Sequence, residues 1–404
     1  MRIRNTIPSI ILPESPVLFS IIWEELLSTQ EAYQQMYIEN EQQSRLEDAD
    51  GLPYTLDFLV VEDIDFMQAC LKAAPVRKEL EQQIDAPVAD QTDWVSEVVK
   101  LAVSFSQITM EEEALWDIDV NIFLSEETSL TTNYTSRTAC GDLIVMLGEW
   151  KSSATTNGLL NHMRTLYDTD EYWKRKEAVL YVLNQLMSSF QETNQTVQAV
   201  AARDFIEFVK HAMQQKNIFL RARGFLVAGS LYKIASEILQ GVGPSLLEST
   251  LRAVEEDTSE VVKVSCIRAL QDYLTSIPSP LALSIQPSVI STLSNYMSTQ
   301  DFSEQSESDD LVVTLLETLR DAMLIDAHFA IAGSALDSLF AIASQCANSF
   351  QVTVLVNETF ENVCKNIAVA GSDAYAKLCE KVLPSLAGTF DVGNLTEVDA
   401  LINV

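Results

Sequence analysis

Glycine and proline are scarce in this chain, with 12 and 11 among 404 residues. All-β folds and nucleotide-binding α/β folds need glycine at their turns and phosphate loops, so the shortage argues for helix. No G-x-x-x-x-G-K-[ST] run occurs, and Gly241-Val242-Gly243-Pro244 lacks the lysine and the preceding strand of a phosphate loop. No G-x-S-x-G elbow occurs either. The three histidines (His162, His211, His328) lie far apart, without a Cys or His at ligand spacing. The six cysteines (Cys70, Cys140, Cys266, Cys346, Cys364, Cys379) form no C-x-x-C and sit in apolar helical contexts, where they read as reduced core residues. No secretory signal or apolar run of about 18 residues appears, which points to a soluble intracellular protein with no membrane partner. The four N-x-T triplets, at Asn133, Asn194, Asn357 and Asn394, then read as chance. No cofactor, metal or catalytic constellation is expected. Glu111-Glu112-Glu113 with Asp117 and Asp119 imitate a carboxylate pair, but neighbouring helical residues point in different directions.

What the chain has in excess is negative charge, a formal −32 at pH 7. Its 47% apolar content is ordinary for a folded protein, so the acidity does not mark disorder. Residues 1–150 hold 28 Asp and Glu against 8 Lys and Arg, and the remainder holds 30 against 18. Residues 151–224 reverse the trend, with 10 basic and 7 acidic side chains. Such a surface repels nucleic acid and anionic membrane and favours basic proteins. The basic run Lys174-Arg175-Lys176 is short and is followed by Glu177, which reads as a solvated helix face.

Helical periodicity runs along most of the chain. Leu247, Leu251 and Val254 make one stripe, the acidic turn Glu255–Ser259 follows, and Val262, Cys266, Ala269, Leu270, Tyr273 and Leu274 make a second. Similar helix–turn–helix units recur from 159 to 187, 205 to 235 and 289 to 324. Their second helices begin near 174, 220, 262 and 311, close to the roughly 40–47 residue period of HEAT arrays. The expected fold is therefore all-α: a HEAT-repeat α-solenoid, a right-handed superhelix of antiparallel helix pairs. One solenoid over 1–404 is expected, with approximate pairs at 17–80, 93–150, 156–190, 198–240, 244–277, 285–325 and 329–390. Residues 17–37, 58–72 and 374–386 read as helices, whereas 329–366 is apolar throughout and gives no boundaries. Three links exceed a tight turn, at 39–51, 117–133 and 300–310, and long inter-helix links of solenoids commonly bind partners. Trp23, Trp94, Trp116, Trp150 and Trp173 lie among apolar neighbours and read as core.

Three ordered stretches carry a family resemblance. They are Gln107-Ile108-Thr109-Met110-Glu111-Glu112-Glu113-Ala114-Leu115-Trp116, leading on to Phe123-Leu124-Ser125-Glu126-Glu127; Tyr134 to Leu143; and Glu171-Tyr172-Trp173-Lys174-Arg175-Lys176-Glu177-Ala178. In order and spacing the set resembles the importin-β (karyopherin-β) family, within it the importin 9 branch and its yeast counterpart, over roughly residues 90–325. The resemblance implies a non-enzymatic nuclear import receptor, or a central fragment of one, that shuttles between cytoplasm and nucleus. The implied partners are basic cargo such as core histones and the TATA-binding protein, the small GTPase Ran, whose GTP form releases cargo, and Phe-Gly repeat pore proteins. By carry-over, cargo or Ran would meet Asp117, Asp119, Glu126 and Glu127, flanked by Glu111, Glu112 and Glu113. Glu62, Asp63 and Asp65 are second candidates. A HEAT-repeat scaffold subunit of another macromolecular complex is the alternative with the same fold.

Overall fold

The structure, a computed structural model, describes residues 12–40, 55–84, 93–128, 134–169, 172–302 and 309–388. Among them are eighteen α-helices and no strand. In chain order these are α1 Ser15–Tyr33, α2 Leu56–Leu71, α3 Ala74–Ile84, α4 Trp94–Phe105, α5 Met110–Ile118, α6 Val120–Thr128, α7 Ser136–Thr169, α8 Trp173–Glu192 and α9 Ala199–Met213. There follow α10 Ile218–Leu239, α11 Gly243–Glu256, α12 Glu260–Ser276, α13 Ser279–Ser298, α14 Asp310–Ile325, α15 Ala327–Ala332, α16 Ala335–Gln345, α17 Phe350–Ala370 and α18 Ser372–Gly388. A short π-helix, Gln34–Ile38, extends α1. α7 is two helices in effect, because Lys151 leaves the helical region at φ −132 and ψ 56. No described helix is long and apolar enough to cross a membrane.

The chain divides into two compact units, residues 1–118 with 131–227, and residues 119–130 with 228–404. In the first, α1 packs on α2, α4 on α7, and α7 on α8. In the second, α11 packs on α12, α13 on α14, and α17 on α18.

The α11–α12 pair shows why the sequence folds this way. Pro244 sits in the first turn of α11, where its missing N–H is harmless. Leu246, Leu247, Thr250 and Val254 face inward from α11, and Val262, Cys266, Ala269, Leu270 and Tyr273 from α12, all buried. Each large apolar side chain so buried contributes about 1.5–3 kcal/mol before chain entropy is set against it. The second helices of the recurring units start at Trp173, Ile218, Glu260 and Asp310, as periodicity places them. The chain has the HEAT-repeat α-solenoid fold.

Two expectations change. The link at 117–133 is largely helical: after Ile118 the chain turns at Asp119, whose carboxylate accepts the Asn121 N–H at 2.8 Å, and α6 begins. Phe123 and Leu124, both buried, seat α6 against α12 and α14 of the second unit. Lys174 does not face solvent but is 3% exposed, for reasons given below. The proposed links at 39–51 and 300–310 fall mostly outside the described residues, as do 129–133 and Glu171.

Candidate functional site

Residues of all three stretches that carry the family resemblance (107–116, 134–143 and 172–178) converge in the first unit on a buried ionic node. Arg137, from the start of α7, donates to Glu177 of α8 through Nη1 (2.9 Å to Oε2) and Nη2 (2.6 Å to Oε1). Arg223 of α10 donates through Nε to the same Oε1 at 2.8 Å. Glu177 and Arg223 are each 1% exposed and Arg137 4%. The Tyr181 ring lies 3.8 Å below the Arg137 guanidinium and also faces Arg223 at 5.2 Å. Arg137 further donates to the Ser106 carbonyl just after α4. Lys174 supplies a neighbouring link, donating to the Ile38 carbonyl at 3.1 Å and pairing with Glu113 at 2.8 Å. Phe219 fills the space between Trp116 and Trp173, at centroid distances of 5.9 and 6.1 Å. Charges this deeply buried persist only when paired and hydrogen-bonded, as these are.

This geometry gives several of the candidate acids structural work. Glu112 closes a capping box with Thr109: its carboxylate accepts the Thr109 N–H at 2.8 Å, and its own N–H donates to Thr109 Oγ1 at 3.1 Å. Burial pushes the Glu112 carboxyl up, against the pull of Arg137. Glu113 neutralises Lys174, and Asp119 caps α6. Glu111 and Asp117 are exposed on α5, while Glu126 and Glu127 are half-buried on α6. The first two belong to one compact unit, and Asp119, Glu126 and Glu127 to the other.

The second set of candidates falls into two groups on α2, Glu62 and Asp63 near Glu25, and Asp65 near Asp142. Glu62, Asp63 and Asp65 lie on α2, and two acids not singled out from sequence join them, Glu25 of α1 and Asp142 of α7. Asp63 is 6% exposed, and its Oδ2 has no hydrogen-bond partner. Its carboxyl is pushed up to about 6 by burial and by the charges of Glu25 and Glu62. Asp65 accepts the Tyr134 hydroxyl and raises the Asp142 carboxyl, whose own burial is the larger cause and which Lys72 partly offsets. Glu62 and Asp142 are exposed, and Glu25 and Asp65 are half-exposed. Carboxylates raised by one another hold an unmet demand for positive charge. Glu25 and Asp142 carry no sequence signal, because only the packing of α1, α2 and α7 makes them neighbours. Among the described residues no cluster of three or more His, Cys, Asp or Glu has the arrangement of a metal site.

The family described as importin-9 central HEAT repeats matches residues 89–347. Among solved structures, an engineered protein aligns at 12% identity and a TM-score of 0.44, over 85% of this chain and 82% of its own. Kap121p bound to Pho4p aligns at 12% identity and a TM-score of 0.49, over 85% of this chain and 35% of that one. The karyopherin Kap121p bound to the extreme C-terminus of the protein phosphatase Cdc14p gives 12% and 0.48, over 86% and 35%. The chain therefore matches about a third of the length of the Kap121p chains.

Proposed function

Because this chain belongs to the importin-9 central HEAT-repeat family, we propose that it is a segment of a nuclear import receptor that holds basic protein cargo on the acidic face of its first unit. The carrying observation is the group of Glu25, Glu62 and Asp63, in which Asp63 Oδ2 is buried without a partner, with the Asp65–Asp142 pair on the same helix α2 and its neighbour α7. Cargo lysines and arginines would relieve that repulsion, and the field would speed their encounter more than it tightens the complex. Core histones and the TATA-binding protein have the required charge. Release by the GTP form of Ran, contact with Phe-Gly repeat proteins and shuttling between cytoplasm and nucleus belong to the same proposal for the whole receptor. Asp117 and Glu111, exposed on α5, are secondary contacts in this reading.

The test is titration with a core histone dimer at low and at physiological salt, with albumin as the acidic control. The expected result is salt-sensitive binding of histones only. Combined Glu25→Gln, Glu62→Gln, Asp65→Asn and Asp142→Asn should weaken it about tenfold, since four exposed pairs contribute about 0.2–1 kcal/mol each. Absence of histone binding even at low salt would reject the cargo reading and favour a scaffold subunit with one fixed partner.

A further inference from the structure

A cavity of about 210 Å³ opens between α1, α3 and α4 of the first unit, apart from the acidic cluster described above. Phe19 and Trp23 form one wall, their rings stacked with centroids 6.5 Å apart and planes 18° apart. Leu80 and Trp94 form the floor, and Glu79 and Glu97 stand exposed at the rim. Among the described residues no cationic side chain lines it. Trp94 is 6% exposed, and its buried indole N–H has no acceptor. A buried donor without an acceptor is costly, and this one is sealed beneath the groove. The aromatic wall and paired carboxylates ask for a flat cation on an apolar stem. The chain does this itself next door, where the Arg77 guanidinium stacks 4.7 Å from the Trp150 ring, which in turn packs on Trp94 at 5.5 Å. Glu97 is paired with Lys100 at 2.7 Å, but both side chains are half exposed, and a surface pair of this kind is readily exchanged.

We infer that this groove is a docking subsite for one arginine residue within an extended segment of a basic protein partner. The guanidinium stacks on Trp23 and forks to Glu79 or Glu97, and its methylenes cover Phe19 and Leu80. Lysine fits less well, because a point charge neither stacks nor forks. The inference rests on the cargo reading for its partner, but not for its ligand chemistry.

The experiment follows the indole N–H signals of the full chain by NMR during titration with a short Gly/Ser peptide carrying one central arginine. Identical peptides with lysine or with uncharged citrulline in its place serve as comparisons. The Trp94 and Trp23 signals should shift with the arginine peptide, and binding should weaken about tenfold with citrulline and on Glu79→Gln/Glu97→Gln, the loss of one charged hydrogen bond. The two glutamate substitutions are exposed and leave the fold intact, so they remain informative where Trp94→Phe does not fold. Unmoved Trp94 and Trp23 signals, or equal shifts with all three peptides, overturn the subsite. Histone binding that persists at full strength in Glu79→Gln/Glu97→Gln, with no peptide response, rejects the subsite while leaving the cargo reading standing. A peptide response without histone binding does the reverse.

Discussion

The two compact units bury polar groups in opposite ways. Every charged side chain buried among the described residues (Asp63, Arg137, Lys174, Glu177 and Arg223) is in the first unit. The second buries no charge among its described residues; apart from Gln286, whose amide donates to the Ala322 and Asp326 carbonyls, it buries mainly hydroxyls. Thr250, Ser265, Thr318 and Thr359 each donate to the carbonyl four residues back, at 2.7 to 2.9 Å. Such bonds close within one helix and say nothing about which helix packs where. The node at Glu177 joins α7, α8 and α10, so it tests the arrangement of three helices at once. An ionic core specifies neighbours at some cost in stability, whereas a hydroxyl-and-hydrocarbon core leaves specificity to shape. Shape is sharp in the second unit: a Cβ on Gly229 would lie 3.0 Å from both the Cα and the carbonyl oxygen of Ala269.

The contrast can be broken from either side. Glu177→Ala should be the most damaging change, costing about 3–5 kcal/mol in urea unfolding because it strands two buried guanidinium groups. Replacing Arg137, Glu177 and Arg223 together by Met, Leu and Met should recover most of that loss. If the triple variant is as unstable as Glu177→Ala, packing rather than unpaired charge sets the penalty. In the second unit the sensitive variable is volume, and Gly229→Val should cost about 1–3 kcal/mol by forcing α10 from α12.

Asp63→Asn should act in the other direction, stabilising the protein at pH 7 by on the order of 2 kcal/mol, since each unit of pKa shift corresponds to about 1.4 kcal/mol. The Asp63 carboxyl is raised from 3.8 to about 6, so the folded state holds its proton longer than the unfolded chain does. Its contribution to stability therefore falls as pH rises through that interval. His162 is pushed down to about 4 by burial and by Lys100 and Arg175, and its contribution rises with pH between about 4 and 6.5. Stability measured from pH 4 to 6.5 should consequently climb more steeply in Asp63→Asn than in the parent. The smallest effect, within about 1 kcal/mol, is expected for Thr359→Val, which removes a bond closed within its own helix.

The same contrast governs what could be read in advance. From 243 to 325 in the second unit apolar spacing was sufficient, and α11, α12 and the start of α14 at Asp310 lie where periodicity puts them. In the first unit, charge was misleading. Lys174-Arg175-Lys176 looks solvated because a run of cations usually is, yet Lys174 is drawn inward by a carbonyl and a carboxylate from α1's end and α5. The basic excess of residues 151–224 therefore does not offset the acidic surface in full, since Lys174 and Arg223 are consumed inside. The tail from 329 to 366 was opaque for another reason. Its breaks, at Gly333-Ser334 and at Cys346 to Ser349, contain no proline and only one glycine, and are set instead by a local cap, Ser349 accepting the Val352 N–H at 3.2 Å. The acidic cluster was half legible, because Glu62, Asp63 and Asp65 are adjacent in sequence while Glu25 and Asp142 are not.

The contact between Lys174 and Ile38 spans 136 residues, longer than the Tyr33–Ser136 bond between α1 and α7, which spans 103. The π-turn places the Ile38 carbonyl at the end of α1, where Lys174 takes it up. During synthesis at about 5–20 residues per second, α1 emerges roughly 7 to 27 seconds before the lysine that caps it. The end of α1 therefore leaves the ribosome before its capping partner exists, and the order of translation runs against the order in which this part of the fold can close.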